Sequence, residues 1–182
     1  MAKSGSVIKP IVISLAAGAL ITGLLYAIEN VNLTGRKPLS VDVAALSPTD
    51  TRKELLAKFA DNEFACGEEK SDLGKTICWT EIESFNGIKA RYFAFFFGED
   101  ERLTAFKLAA YAKQYQALIA HFDERHGQAR RLPDAPVLSW PTGAGVLTMA
   151  AQAPSGQEAT VLWVDDPELV RSLTDAAPAP QQ

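Results

Sequence analysis

The first strong pattern along the chain is an apolar run. Residues 11–28 read IVISLAAGALITGLLYAI without a charge, preceded by Lys3 and Lys9 and closed by Glu29 and Asn30. At 1.5 Å per residue such a run makes about 27 Å of helix, close to the hydrocarbon thickness of a bilayer. Pro10 suits the first helical turn, where its missing N–H is not needed, and Tyr26 suits the interfacial aromatic position. The run is therefore read as a transmembrane helix. A cleaved signal peptide is the competing reading, resting on the small residues Ala17-Gly18-Ala19, but cutting there would leave LITGLLYAI on the mature N-terminus. Within the span, Ala19, Gly23 and Ala27 recur every four residues and form a stripe of small side chains that would let another helix approach closely.

Beyond the run, residues 29–47 mix Gly, Pro and polar positions without sustained periodicity, as a tether does. A helix over 48–62 is predicted next. Ser47 stands at its N-cap, Pro48 at its first position and Asp50 at N3, with Leu55, Leu56 and Phe59 on the apolar face. Asn86-Gly87 then sits between KTICWTEIESF and IKARYFAFFF, which predicts a hairpin with a type I′ turn pairing Phe85 with Ile88. That register places Ile77, Trp79, Glu81, Tyr92, Ala94 and Phe96 on one face, and Cys78, Thr80, Ile82, Phe93, Phe95 and Phe97 on the other. Residues 103–108 read as a third strand. A helix over 109–126 follows, with Tyr111, Tyr115, Leu118, Ile119 and Phe122 at helical spacing and Gly127 as its stop. Residues 137–140, 146–151 and 159–164 read as short strands, Asp165-Asp166-Pro167 opens a brief helix, and AAPAPQQ has the composition of a disordered tail.

The order of elements repeats: a helix and three strands with Trp79 in the first, then a helix and three strands with Trp140 in the first. The predicted fold class is α+β: an N-terminal transmembrane helix followed by one domain of two α-β-β-β units, forming an antiparallel sheet with helices packed on one face. The corresponding organisation is an N-terminus 1–10, a span 11–28, a tether 29–47, a domain 48–174 and a tail 175–182. Over residues 48–164 this arrangement resembles, at the level of fold, the tandem helix-plus-sheet domains of the β-lactamase inhibitory protein and of the small lipoprotein of the outer-membrane barrel-assembly machinery. The residues that carry the resemblance are Trp79, Trp140 and the helix-ending Gly127. It implies that the open face of the sheet binds another protein. The lipoprotein cysteine of the second group is missing near the apolar run, which sets this chain apart from an outer-membrane role.

Composition narrows the function classes. With 182 residues, 47% of them hydrophobic, there is material for one core. A net charge of −4 without a basic block excludes a nucleic-acid partner, which demands clustered Lys and Arg. Cys66 and Cys78 are the only cysteines, and such a pair reads as a disulfide in an oxidising compartment, with two buried free thiols as the alternative. No further Cys or His completes a zinc set around them, so no metal is expected. Charge on the two sides of the span is balanced, Lys3 and Lys9 against Arg36 and Lys37, so the cysteines set the orientation. The N-terminus is placed in the cytoplasm and the domain in the periplasm, anchored in a bacterial inner membrane.

Candidate chemistry is sparse. His121 and His126 are five apart on one helix and out of register for a shared metal, and His126 suits a helix C-terminus. Glu81 and Glu83 share a strand face as solvated acids, and no nucleophile elbow, P-loop or zinc-protease motif is present. No cofactor and no catalytic residue are expected. What stands out is strand 92–97, YFAFFF, with aromatics on both faces, where a sheet covered on one side alternates apolar and polar residues. Either Phe93, Phe95 and Phe97 or Trp79, Tyr92 and Phe96 are then left for a partner. The function expected is a non-enzymatic, membrane-anchored accessory or assembly subunit that binds another protein. The alternative is a module for a small apolar or lipid-like ligand lined by Phe93, Phe95, Phe97 and Phe122.

Overall fold

The computed structural model of the chain describes residues 35–69, 71–131 and 136–166. Asn86 and Gly87 take φ of 49° and 85°, the left-handed pair that a type I′ turn requires. They join the two longest strands, β3 (Thr76–Phe85) and β4 (Ile88–Phe97), in the register that pairs Phe85 with Ile88. Before them come β1 (Lys37–Leu39), a 3-10 turn (Val43–Ala45), helix α1 (Arg52–Lys58) and β2 (Ala65–Glu68). After them come β5 (Leu103–Tyr111), a 3-10 turn (Ala112–Gln114), helix α2 (Tyr115–His126), β6 (Arg130–Arg131), β7 (Val137–Pro141), β8 (Val146–Ala150) and β9 (Glu158–Val164).

All nine strands form one sheet in the order β1-β3-β4-β5-β9-β8-β7-β6, with β2 also paired to β3. Every pairing is antiparallel except β1 with β3, which is parallel. The register aligns side chains in rows across the sheet. One row runs Cys78, Phe95, Phe106, Trp163, Leu147, Trp140, and all six are fully buried. On this inner face the rings stack closely: Phe93 lies 4.7 Å from Phe95 and 5.1 Å from Phe106, and Phe106 lies 6.0 Å from Trp163. Leu39, Val41, Val43 and Leu46, Leu55 of α1 and Phe59 at its C-cap, and Tyr115, Leu118 and Phe122 of α2 complete the same buried cluster.

The expected fold class is corrected by this architecture. In place of two α-β-β-β units making an antiparallel sheet under a helical layer, the described residues form a large mixed sheet of nine strands with only two α-helices, of 7 and 12 residues. The layout implied by the resemblance to tandem helix-plus-sheet domains is corrected with it. Three physical reasons account for the difference. The segment expected as a tether supplies β1 and buries Leu39, Val41, Val43 and Leu46, because its apolar residues alternate with polar ones and meet the open edge of β3. The strand expected to end at 108 continues to Tyr111, since β5 has partners on both sides and its ladder overrides the helix propensity of Ala109 and Ala110. Helix α1 begins not at Pro48 but after Thr51, whose hydroxyl accepts from the Glu54 amide while the Glu54 carboxylate accepts from the Thr51 amide. Thr51→Ala removes this capping box and is expected to cost about 1 kcal/mol, read as a lower urea midpoint at unchanged slope.

Among the described residues no helix is long and apolar enough to cross a membrane. The expected N-terminus 1–10, span 11–28 with Ala19, Gly23 and Ala27, terminal helix and tail 175–182 lie outside the described residues.

Candidate functional site: the outer face of the sheet

Side chains alternate along each strand, so burying Phe93 and Phe95 inside turns Tyr92, Ala94 and Phe96 outward. Across the sheet this outer face carries the row Trp79, Ala94, Lys107, Leu162 and, beside it, the row Glu81, Tyr92, Ala109, Thr160. A small apolar cluster sits at one end: Ile77, Ala94, Phe96 and Ala105 are buried there beneath Leu73, Trp79, Tyr92 and Val164, and neither helix contributes to it. Thr104 fixes the cover of that cluster, its hydroxyl donating to the carbonyls of Leu73 and Phe96.

Trp79, Tyr92, Lys107 and Leu162 are half-buried, and Thr160 is exposed. The Lys107 ammonium stands 5.7 Å from the centre of the Tyr92 ring, a cation–π pair in the middle of the face. Burial pushes the Lys107 ammonium below the usual lysine range, against the pull of Glu158 and Glu69. Burial also pushes the Tyr92 phenol well up, so it stays a neutral hydrogen-bonding tip on an apolar ring. Two ion pairs flank these groups, Arg36 with Glu81 at 2.8 Å and Arg91 with Glu158 at 2.7 Å. The face thus sets an aromatic centre among charged pairs.

The sequence-predicted partner residues separate accordingly. Of the two alternative sets, Phe93, Phe95 and Phe97 are fully buried on the inner face, and Phe96 of the other set is buried on the outer one. Only Trp79 and Tyr92 of the six reach solvent. Phe93, Phe95, Phe97 and Phe122, named as the lining of a ligand site, all belong to the aromatic core, where Phe122 packs 5.4 Å from Trp140. Lys107 was not singled out, although one charge inside the apolar strand LTAFKLAAY was a readable signal.

Cys66 and Cys78 are directly opposed on β2 and β3 and form a disulfide. It ties the exposed edge strand to the core, since Cys66 is exposed and Cys78 fully buried. Glu81 is held by Arg36 and Glu83 is exposed. Among the described residues no group of three or more His, Cys, Asp or Glu side chains is placed to hold a metal ion. No family model, no curated protein and no solved structure matches this chain.

Proposed function

We propose that the protein is a non-enzymatic, membrane-anchored envelope subunit that binds another protein through the outer face of its sheet. The observation that carries this reading is the Trp79–Tyr92–Lys107 centre, which is half-buried, rimmed by ion pairs and flanks an apolar cluster to which neither helix contributes. Large amphipathic rings held rigid on a sheet give contact area at little entropic cost, and Trp and Tyr dominate interface energetics for that reason. The apolar run 11–28 supports an anchor, and the Cys66–Cys78 disulfide supports a domain facing an oxidising compartment such as the periplasm.

The test is purification of the full chain from its native membrane in mild detergent. Wild type is expected to bring down a stoichiometric partner that Trp79→Ala and Tyr92→Ala retain at least about tenfold less well, as loss of an anchor residue does. A Lys53→Ala variant, on exposed α1 surface, is expected to retain it fully. Equal retention by all variants, or no stoichiometric partner, overturns the reading. Thiol labelling without prior reduction reports the compartment: cysteines that label freely overturn the periplasmic placement.

A further inference from the structure

The arm that follows β1 buries Val41, Val43 and Leu46 in the core, and one side chain clasps its backbone. The Val41 amide donates to Asn86 Oδ1 at 2.8 Å, and Asn86 Nδ2 donates to the Val41 carbonyl at 2.9 Å. This pair fixes which end of the Asn86 amide is which, because the oxygen must face an N–H and the nitrogen a C=O. The Asn86 backbone amide also donates to the Leu39 carbonyl at 2.9 Å. Asn86 Nδ2 has a second hydrogen, and 3.3 Å away stands Nε2 of His121 on helix α2. Since the asparagine nitrogen is only a donor, Nε2 must accept. The imidazole is then neutral, with its proton on Nδ1.

We infer that His121, Asn86 and Val41 form a pH-sensitive clasp that docks residues 39–46 onto the hairpin turn and helix α2, and that protonation of His121 opens it. A proton on Nε2 sets an N–H against the Asn86 N–H, so one bond is lost and like dipoles meet. The surroundings resist that proton. Phe85 and Phe122 present rings to the imidazole at 6.4 and 5.4 Å, and burial is the largest effect holding its pKa below the ordinary histidine value. Among charged groups, Arg125 and His126 on the same helix push the same way and Glu124 opposes them. The arm places Asp42 near His126, where it favours the charged form against a larger burial effect, so the second histidine is also held low. A histidine whose pKa is lowered in the docked state binds more protons when released. The contribution of His121 to docking is thus full above the ordinary value of about 6.5 and is lost as pH falls from there through the lowered value.

Amide hydrogen exchange on the full chain in detergent micelles tests the clasp, with rates corrected for intrinsic chemistry, between about pH 7.5 and about pH 5. Protection of the Val41 amide is expected to fall on acidification, in step with the His121 titration, while Leu108 in the central strand β5 keeps its protection. His121→Gln, which cannot take up a proton, is expected to remove most of the pH dependence, and His126→Gln, which leaves the bond to Asn86 intact, to remove less of it. Nitrogen shifts of the wild-type imidazole at neutral pH give a readout free of any variant, with the Nδ1–H tautomer expected. An Nε2–H tautomer, pH-independent protection of Val41, or unchanged pH dependence in a folded His121→Gln protein would each overturn the clasp.

Discussion

Phe95→Ala is expected to destabilise the domain by about 3–5 kcal/mol, the range for emptying a well-packed aromatic site. The ring is fully buried and lies against four others, Phe59 and Phe64 at 5.7 Å, Phe93 at 4.7 Å and Phe97 at 6.2 Å. Those neighbours come from the C-cap of α1, the loop after it and β4 itself, so collapse into the void would have to move the end of a helix and a strand together. Interiors resist such movement, and the cavity therefore persists. Urea unfolding of the purified protein reads the effect as a large drop in midpoint at unchanged slope. A loss below about 1 kcal/mol would show that the inner face is not packed as described.

Replacing both cysteines by alanine is expected to cost about 3 kcal/mol, the chain-entropy value for a bridge that closes a loop of this size. For a domain of this length that lowers the melting temperature by about 6–12 °C. Beyond entropy, the bridge secures an edge strand that has only one neighbour, β3, over four residue pairs. Without it, β2 is expected to lose amide protection before β3 and β4 do. Thermal unfolding of the oxidised and cysteine-free proteins checks the first point, and hydrogen exchange the second. Equal melting temperatures would mean that β2 is held by its ladder alone.

Local chemistry was legible in the sequence wherever one motif dictates one geometry. Asn86-Gly87 fixed the hairpin and its register, and that register assigned Trp79 and Tyr92 to one face and Cys78, Phe93 and Phe95 to the other. The opposed cysteines followed from their isolation as a pair. Elements decided by distant partners were not legible. Residues 37–39 become a strand only because the edge of β3 beside Ile82 to Phe85 is open to them. Ala109 and Ala110 stay extended because β4 and β9 pair on either side, and no local signal in LTAFKLAAY announces that. The layered architecture is illegible for the same reason, since short edge strands such as Arg130–Arg131 have no periodicity of their own. Aromatics on both faces of YFAFFF raised the question of what covers each face. The structure sends Phe93, Phe95 and Phe97 inward and buries Phe96 under Leu73, which leaves Trp79, Tyr92 and Lys107 as the surface.

That division also explains why the candidate site is compact. Lys107 is the one charge on β5, and it is flanked in its row by Ala94 and Leu162. Ala94, small and beside it, leaves room for the ammonium to lie over Tyr92, and a partner pressed on this face would desolvate an aromatic ring and a cation together. Such a contact rewards a partner with a matching acidic or carbonyl oxygen and penalises one without it.

The most direct test of the outer face as the binding surface is site-specific photo-crosslinking in the native membrane. A photoreactive residue at Thr160, exposed on that face, is compared with one at Lys53 on helix α1. One discrete protein adduct is expected from position 160 and none from position 53. An adduct from position 53 alone, or lipid adducts only from position 160, would contradict that expectation.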